Sequence, residues 1–435
     1  MTPKEEIKIN DPLGVAFDIG TTTLVGALTN LKTKERLRTI SEPNPQQRWG
    51  KDLLSRVKAI TDNPLLLKEL QGVVIKTCDL MLGRLLPKGK RVEKIIIAGN
   101  TVMEHIFFCV SPEGLGKIPY RPAFKESKKI KATELGFDPA YVTEKADLYS
   151  LPIIGGFVGG DTIGVILALE LHKNREAPRL AIDIGTNSEI VLSTKDKLFT
   201  ASAAAGPAFE GGEMMYGMSA KDGAIEGLEV VDGLIKLQVI GNATPDGICG
   251  SGLIKATSEF IRAGVIAENG QIQGSKDIDS NLSNRVKEGE DGRYITLYRG
   301  GASSQQRKST HPEEITLSQA DVRALQVAKG AIRAGISILL DKAKVKIDEL
   351  EKIYIAGAFG ANLNTSALKT IGLLEDEWLS KVESTGDAAL QGTLLAFDKD
   401  TWQEGEEVAR STKYVSLSGS KHFEREFMSN MNFKK

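Results

Sequence analysis

Two short segments of this sequence carry an aspartate, a glycine and short polar side chains in the same order. The first set is Asp18, Gly20, Thr21, Thr22 and Thr23, and the second is Asp183, Gly185, Thr186, Asn187 and Ser188. A glycine turn presents backbone N–H groups and hydroxyls to a phosphate, and a nearby carboxylate suits the hydration shell of Mg²⁺. The pair predicts a polyphosphate held from both sides, with the hydroxyl and amide side chains of each turn near the phosphates and one of them facing the core.

Asp18 and Asp183 are the predicted holders of hydrated Mg²⁺, and one of them is expected to orient the attacking water. The alternative is that each aspartate only caps a tight turn and has no metal role.

Each aspartate ends an apolar run and is followed by a second apolar run, a pattern typical of a β-hairpin. A second repeated pattern, besides the two Asp-Gly-Thr segments, pairs residues 94–100 with 352–358. Both are buried-type strands that end in a glycine turn before a helical pattern. The two repeated patterns occur in the same order in both halves of the chain, which favours a duplication. We therefore predict an α/β protein with lobes at 13–172 and 178–400 and a tail at 401–435 that could return to the first lobe.

The second predicted lobe contains a polar segment, 269–312, that reads as a surface insertion with a strand near residues 294–298. A long helix is expected after it, because Ser318 can cap a helix with Asp321 three residues later. The apolar stripe of that helix follows helical spacing. Its residues are Val322, Leu325, Ala328, Ile332, Ile336 and Leu339.

The overall charge is balanced, with 56 Lys plus Arg against 57 Asp plus Glu and a formal net charge of −1. Nothing general therefore attracts nucleic acid or an anionic membrane, and neither is expected as a partner. The three cysteines show no paired spacing, which suits a reducing, cytoplasmic location. The apolar stretch 151–171 contains five glycines and Asp161, so we predict a strand, a glycine turn and a helix rather than a membrane span.

Five motifs resemble those of the acetate and sugar kinase, Hsc70 and actin superfamily. They are DIGTTT (18–23), GGDTIGVILALEL (159–171), DIGTNS (183–188), IAGAFGANL (355–363) and GDAALQGTLLAF (386–397). The resemblance implies two ribonuclease H-like domains with ATP in the cleft between them. Small residues let a turn approach the adenine and ribose, so that role is expected for Gly357, Ala358, Phe359 and Gly360, and also for Gly250 and Gly252.

Further segments resemble the reductive activators of corrinoid proteins. They are residues 44–46, 49–56, 99–105, 206–214 and 247–253. That resemblance implies ATP-driven reduction of cob(II)amide to cob(I)amide in a partner corrinoid protein, with electrons from an N-terminal [2Fe–2S] ferredoxin-like domain. This chain lacks a four-cysteine set, so we expect the C-terminal ATPase part without an iron–sulfur cluster, preceded by a linker remnant at 1–12. Homodimer formation stays open.

Several side chains have two alternative interpretations. Asp161 is either a water-activating base or a helix cap. Glu210 and Glu213 are expected as exposed loop carboxylates, with cleft lining as the alternative, and Asn100 is a further cleft-lining candidate. Lys329 is expected on a solvated helix face rather than on phosphate. Cys249 is predicted to be a small core residue and His105 a satisfied interior histidine.

The competing functions are a small-molecule kinase acting on a sugar or carboxylate, with Asp161 as base, and a slow nucleotide-dependent scaffold. A third is the activator of 2-hydroxyacyl-CoA dehydratases, whose [4Fe–4S] cluster needs paired cysteines from each chain. Cys249 stands alone in its loop, which disfavours that third reading.

Overall fold

The computed structural model describes residues 11–300, 311–357 and 364–434. These residues form two compact units. The first takes the described parts of Met1–Glu176, Val191–Ala201 and Asp387–Ser416, and the second those of Ala177–Ile190, Ser202–Gly386 and Leu417–Lys435. The sequence predicts contiguous lobes, whereas each compact unit collects separate segments of the chain. The predicted tail is divided as well, at residue 416.

The first unit is built on a six-stranded mixed sheet. Its strands are β1 (Leu13–Ile19), β2 (Thr23–Asn30), β3 (Arg36–Pro43), β4 (Val92–Gly99), β5 (Lys129–Lys131) and β6 (Val142–Ser150), in the spatial order β3-β2-β1-β4-β6-β5. The central strands β1 and β4 are largely buried along their apolar runs. Such continuous apolar runs are typical of strands that are covered on both faces.

Helices cover this sheet. They are α1 (Leu53–Asp62), α2 (Leu66–Leu85), α3 (Thr101–Phe107), α4 (Ala132–Leu135) and α5 (Gly160–Ala168). The buried side of α2 carries Leu70, Val74, Cys78, Met81 and Leu85 at helical spacing, and all five belong to the main apolar core of the first unit. Burying each large apolar side chain contributes about 1.5–3 kcal/mol, so this face holds α2 in place.

The remaining strands are β7 (Arg179–Ile184), β8 (Ser188–Ser193), β9 (Leu198–Ala203), β10 (Ala224–Val231), β11 (Leu234–Val239), β12 (Gly247–Ile248), β13 (Val286–Gly289), β14 (Gly292–Arg299), β15 (Glu314–Ser318), β16 (Lys352–Gly357), β17 (Val382–Gly386) and β18 (Lys413–Tyr414). The remaining helices are α6 (Gly250–Arg262), α7 (Gln319–Ala343), α8 (Thr365–Thr370), α9 (Ala388–Leu395), α10 (Lys399–Ser411) and α11 (Lys421–Ser429). A second six-stranded sheet has the order β17-β16-β7-β8-β9-β18.

The two large sheets repeat one arrangement. In the first, β3-β2-β1-β4-β6 follow one another, and in the second β9-β8-β7-β16-β17 do so. The register is also repeated, because Asp18 lies opposite Ala98 in the parallel pair β1–β4, and Asp183 lies opposite Ala356 in the parallel pair β7–β16. The predicted duplication is confirmed down to the pairing of single residues.

Two strands of the predicted surface insertion, β13 and β14, form a small sheet with β15, which follows the insertion; the order is β13-β14-β15. The strand expected near residues 294–298 is β14, which pairs antiparallel with both neighbours. Residues 301–310, which connect β14 to β15, lie outside the described part of the chain.

The long helix after the insertion is α7, and it begins where the sequence predicts. The Ser318 side chain accepts from the Asp321 N–H, and the Asp321 side chain bonds back to the Ser318 backbone, which is a capping box. All six residues of the predicted apolar stripe are buried. The helical periodicity is therefore confirmed.

The segment 151–171 forms a glycine-containing turn, with a β-bridge between Gly155 and Val158, and then α5. Helices α5 and α9 of the first unit pack closely at two glycines. A Cβ added at Gly164 would stand 2.4 Å from the Ala389 carbonyl oxygen, and one at Gly392 would stand 1.8 Å from that of Gly164. Among the described residues, none of the helices combines the length and apolar character needed to cross a bilayer.

Candidate functional site

The first Asp-Gly-Thr turn joins β1 to β2 in an antiparallel hairpin, as predicted. Asp18 stands one residue before the end of β1 and is half-buried, while Thr21 is buried and Thr23 is exposed. A Cβ at Gly20 would lie 2.4 Å from the Thr23 carbonyl oxygen, so only glycine fits this tight turn. In this turn one threonine faces the interior, as the sequence predicts.

Side chains outside the turn hold its carbonyl groups. Asn44 donates from Nδ2 to the Gly20 oxygen over 2.8 Å, and Gln47 donates from Nε2 to the Thr22 oxygen over 2.8 Å. Arg56 donates from Nη2 to the carbonyl oxygen of Thr21 over 2.6 Å. Three successive carbonyl groups are thus fixed by side-chain donors, which sets the shape of the turn.

Arg56 is fully buried, and it also donates to the Gly50 carbonyl and to the Gln46 side chain. Burial lowers the pKa of its guanidinium to about 10, against the opposing effect of Asp52. No role for Arg56 was predicted from its residue type or spacing. The only signal was its place in the segment 49–56 that resembles the corrinoid activators.

The glycine turn after β4 stands beside this hairpin, because β4 pairs parallel with β1. Asn100 caps α3 by accepting from the Val102 N–H over 3.1 Å, and its amide donates to the Phe157 carbonyl. Asn100 is buried, and both ends of its amide are engaged. Its role in the structure is to join the turn before α3 to the turn before α5.

Two carboxyl groups, those of Glu104 and Asp161, interact near this junction. Glu104 is fully buried, and its Oε1 accepts from the Gly160 N–H over 2.9 Å, while its Oε2 is buried with no hydrogen-bond partner among the described residues. Burial raises the pKa of Glu104 well above its usual range, and the negative charge of Asp161 raises it further. This environment favours the protonated, neutral form of the carboxyl group.

Asp161 stands in the first turn of α5, whose cap position is taken by Gly159. The helix-cap interpretation of Asp161 is therefore wrong. Its Oδ1 accepts from the Thr162 N–H over 2.6 Å, and burial raises the pKa of Asp161 to about 6 despite that bond. A carboxylate with a pKa near neutrality can accept a proton, which is the property that a general base requires.

The second Asp-Gly-Thr turn joins β7 to β8. Thr186 and Ser188 are both buried, so the expectation that only one of its side chains faces the interior is wrong here. The Ser188 hydroxyl bonds to the Gly185 carbonyl at 3.3 Å. The Nδ2 atom of Asn187 is buried and has no hydrogen-bond partner among the described residues. That amide is a donor at the tip of the turn.

Glu210 holds the second turn. Its carboxylate accepts from the Thr186 N–H over 3.2 Å and from the Thr186 hydroxyl over 2.7 Å. Glu210 is half-buried, so its interpretation as an exposed loop carboxylate is wrong, because the short helical turn 207–210 directs it to Thr186. Glu213 is exposed, as expected for a loop carboxylate.

Gly357 ends β16 beside the second turn and has φ +98°. A Cβ there would stand 2.3 Å from the Ile184 carbonyl oxygen and 3.0 Å from Asp183 Oδ1, so only glycine fits. The other adenosine-side candidates, Ala358, Phe359 and Gly360, lie outside the described residues.

Gly250 and Gly252 open helix α6. A Cβ at Gly250 would lie 1.8 Å from the Phe209 carbonyl oxygen, and one at Gly252 would lie 2.0 Å from that of Ile225. Both glycines therefore allow the start of α6 to pack against neighbouring backbone. This packing explains their residue type without a ligand.

Lys329 corrects another expectation, since it is 1% exposed rather than solvated. Its Nζ donates to the Asn432 carbonyl, near the end of the chain. Burial lowers the pKa of Lys329 to about 7, and the positive charges of Arg333 and Lys434 lower it further. The interpretation as a solvated face residue is wrong because the segment after α11 covers this side of α7.

His105 and Cys249 are as the sequence predicts. His105 is fully buried, with Nδ1 at 2.7 Å from the Thr101 carbonyl and Nε2 accepting from the Ala123 N–H over 2.9 Å. Burial lowers its pKa to about 4, so the ring is neutral. Cys249 is buried, and its Sγ lies 3.4 Å from the Ile225 carbonyl oxygen.

The residues of both turns fit a nucleotide phosphate with a hydrated Mg²⁺. Each turn has a glycine, short polar side chains and a half-buried aspartate just before it. Mg²⁺ keeps most of its waters and needs only one or two carboxylates. The Asn187 amide, buried and unpartnered within the described residues, is a donor of the kind that a phosphate oxygen accepts.

The duplicated sheets and their matched turns define an α/β protein of the acetate and sugar kinase, Hsc70 and actin class. Two family comparisons agree with this class. Residues 13–174 match the family described as the RACo middle region, and residues 177–435 match the C-terminal domain of RACo, the ASKHA domain. The chain belongs to the RACo family of reductive activators, which confirms the resemblance found in the sequence.

Individual relatives are similar along nearly the whole chain. The corrinoid activation enzyme RamQ of Eubacterium limosum is 33% identical over 427 residues, which cover 97% of this chain and 70% of that protein. The [Co(II) methylated amine-specific corrinoid protein] reductase of Methanosarcina barkeri is 25% identical, covering 97% of this chain and 77% of that protein.

One solved structure shares the fold closely. It is a reductive activator for corrinoid,iron-sulfur protein, with a TM-score of 0.87 and 33% identity over 97% of this chain. The present chain covers 66% of that structure, so it spans slightly less than two thirds of its length.

Proposed function

We propose that this chain binds ATP with Mg²⁺ and hydrolyses it, and that the cycle drives reduction of a corrinoid protein from cob(II)amide to cob(I)amide. The electrons would come from a [2Fe–2S] domain that is not part of this sequence. The observation that carries the proposal is the pair of Asp-Gly-Thr turns, each with its aspartate in the same register against a neighbouring parallel strand.

The roles follow from the chemistry of each turn. Asp18 and Asp183 would position the waters of Mg²⁺, since Mg²⁺ prefers oxygen ligands and retains its hydration shell. Backbone N–H groups of the turns, with donors such as the Asn187 amide, would bind the β- and γ-phosphate oxygens. When bound, Mg²⁺ would neutralise phosphate charge during phosphoryl transfer.

Asp161 is proposed to accept a proton from the attacking water. Its pKa of about 6 leaves it mostly ionised at neutral pH and still basic enough to take the proton. Burial raises the pKa of the neighbouring Glu104, which disfavours a second negative charge beside the base.

The corrinoid partner is proposed from the relatives, which are described as corrinoid activation enzyme and corrinoid protein reductase. Reduction of cob(II)amide is uphill, and each deficit of about 59 mV in a one-electron step lowers the equilibrium constant tenfold. ATP can offset this only if its bound and hydrolysed states bind the partner with different affinity.

The test is the reduction of a purified corrinoid protein, followed by its absorbance, with a fixed low-potential chemical reductant. Adding this chain with ATP and Mg²⁺ should increase the cob(I)amide yield, whereas a non-hydrolysable ATP analogue should change only partner binding. Asp161→Asn should lose the ATP-dependent increase in cob(I)amide. The matched control is Asp62→Asn, which should retain it, because Asp62 is an exposed aspartate at the end of α1. An unchanged yield with ATP would contradict the corrinoid part of the proposal.

The alternative is a small-molecule kinase in which Asp161 deprotonates an acceptor hydroxyl. It predicts that ATP consumption rises many-fold with one sugar or carboxylate and is unaffected by a corrinoid protein. Measuring ADP release across a panel of such acceptors distinguishes the two functions.

A further inference from the structure

The second Asp-Gly-Thr turn is held by an acidic side chain at the donors that a phosphate would use. The Thr186 N–H and hydroxyl both donate to the Glu210 carboxylate, at 3.2 and 2.7 Å. A Cβ at Gly185 would stand 3.3 Å from Glu210 Oε1, so this glycine lets the carboxylate approach the turn closely. Like a phosphate, the carboxylate is an anion that accepts two hydrogen bonds.

The backbone around Glu210 is tied to the same threonine. Gly206 donates from its N–H to the Thr186 carbonyl oxygen over 2.9 Å. Gly206 and Gly211 have φ of +77° and +79°, so a glycine in the left-handed region stands on each side of the short helical turn 207–210. Other residue types rarely adopt this conformation, so glycine is favoured at both ends of this short turn.

The segment continues from this turn to the protein surface. We call residues 206–217 the Glu210 segment. Its Phe209 carbonyl packs on Gly250 at the start of α6, and its Met215 side chain is 76% exposed. A change in the position of Glu210 would therefore reach both a buried helix end and an exposed surface.

Glu210 and a nucleotide phosphate cannot both use the Thr186 donors, and their negative charges repel each other. We propose that Glu210 occupies the phosphate position of the second turn in the nucleotide-free protein and is displaced when ATP binds, which releases the Glu210 segment. This proposal rests on the proposed binding of ATP at the turn. It makes Glu210 a residue that opposes nucleotide binding and reports it to the 206–217 surface.

The alternative is that Glu210 stays bonded to Thr186 when the nucleotide binds and positions Thr186 for it. The two roles predict opposite signs for Glu210→Gln, which removes the charge and keeps the size. If Glu210 competes with phosphate, the variant binds Mg·ATP more tightly by about tenfold, because a larger fraction of the protein has a vacant turn. If Glu210 positions Thr186, the variant binds more weakly.

The experiment is a calorimetric titration of Mg·ATP into the whole chain and into Glu210→Gln, with Glu290→Gln as the matched control. Glu290 is exposed in the β13–β14 turn of the same unit, so its variant makes the same charge change far along the chain from the Thr186 turn. Equal or weaker binding by Glu210→Gln overturns the proposal. A wild-type chain that fails to bind Mg·ATP at all contradicts the proposed function instead.

Hydrogen–deuterium exchange of the wild-type chain gives a second readout that needs no variant. Backbone amides of 206–217 should exchange faster when Mg·ATP is added, because loss of the Glu210–Thr186 bonds releases the segment, including the Gly206 N–H that bonds to the Thr186 carbonyl. In Glu210→Gln they should already exchange faster without nucleotide. Unchanged exchange in the wild type upon nucleotide binding overturns the proposal, even if the variant fails to fold.

Discussion

The Arg56 guanidinium donates to the carbonyl oxygen of Thr21 from within the core of the first unit. Asn44 and Gln47 bond the carbonyls on either side of it, so the turn that follows Asp18 has its acceptors fixed from one side. Holding these carbonyl groups orders the backbone of the turn. Its N–H donors are then already in place, which lowers the entropic cost of binding a phosphate.

Replacing Arg56 should therefore damage both stability and nucleotide binding. Arg56→Met leaves buried carbonyl groups without their donor, and we expect a loss of about 2–4 kcal/mol in the free energy of unfolding. Urea denaturation measures it. The control is Arg48→Met, since Arg48 makes an exposed ion pair with Glu69, and such pairs contribute about 0–1 kcal/mol. Equal losses for the two variants would contradict a structural role for Arg56.

Asp161 predicts the pH dependence of ATP hydrolysis. A general base acts in its ionised form, so turnover should rise with pH through about 6, the pKa of Asp161, and level off above it. Asp161→Asn should lose about 10²-fold or more in turnover while still binding ATP. Steady-state phosphate release, measured from about pH 5 to 8 so that the range brackets this pKa, checks the pH profile and the loss of turnover in Asp161→Asn. A variant with wild-type turnover would exclude Asp161 as the base.

Glu104 predicts a difference between two substitutions. Because burial raises the pKa of Glu104 and favours its neutral form, Glu104→Gln replaces that form with a neutral amide and should change the free energy of unfolding by less than about 1 kcal/mol. Glu104→Ala removes the acceptor of the Gly160 N–H and leaves a cavity, so it should cost about 2–4 kcal/mol. If the glutamine variant were as unstable as the alanine variant, Glu104 would have to be ionised in the fold.

Lys329 predicts that stability rises with pH on the alkaline side. Its pKa is about 7 in the folded protein, below the usual lysine value, so between pH 7 and the unfolded pKa only the unfolded chain binds the proton. Stability should then increase by about 1–3 kcal/mol from pH 7 to 9. Lys329→Met should abolish this increase, whereas Lys342→Met, at an exposed position of the same helix, should retain it. Denaturant titrations at the two pH values decide the matter.

Most of the fold could be predicted from local sequence patterns. The apolar runs before Asp18 and Asp183 and the capped stripe of α7 depend on neighbours a few residues apart, so their periodicity is visible in the sequence. Repetition of those local patterns then revealed the duplication, which the shared strand register confirms.

What the sequence could not supply were contacts between distant positions. Lys329 looked solvated because its partner, the Asn432 carbonyl, lies about a hundred residues away. Glu210 looked like a loop carboxylate because nothing local indicates its bonds to Thr186. The assignment of 191–201 and 387–416 to the first unit likewise depends on tertiary packing that no local pattern expresses.

The claim on which the account depends is that the Asp18 turn and the Asp183 turn each contribute to magnesium-dependent nucleotide binding. The most direct measurement is the ATP affinity of the wild type, Asp18→Asn and Asp183→Asn, each with Mg²⁺ and with a chelator. The account predicts that Mg²⁺ strengthens ATP binding in the wild type and that either substitution removes at least about tenfold of that gain, or ~1.4 kcal/mol. Magnesium-dependent affinity that is unchanged in either variant would contradict it.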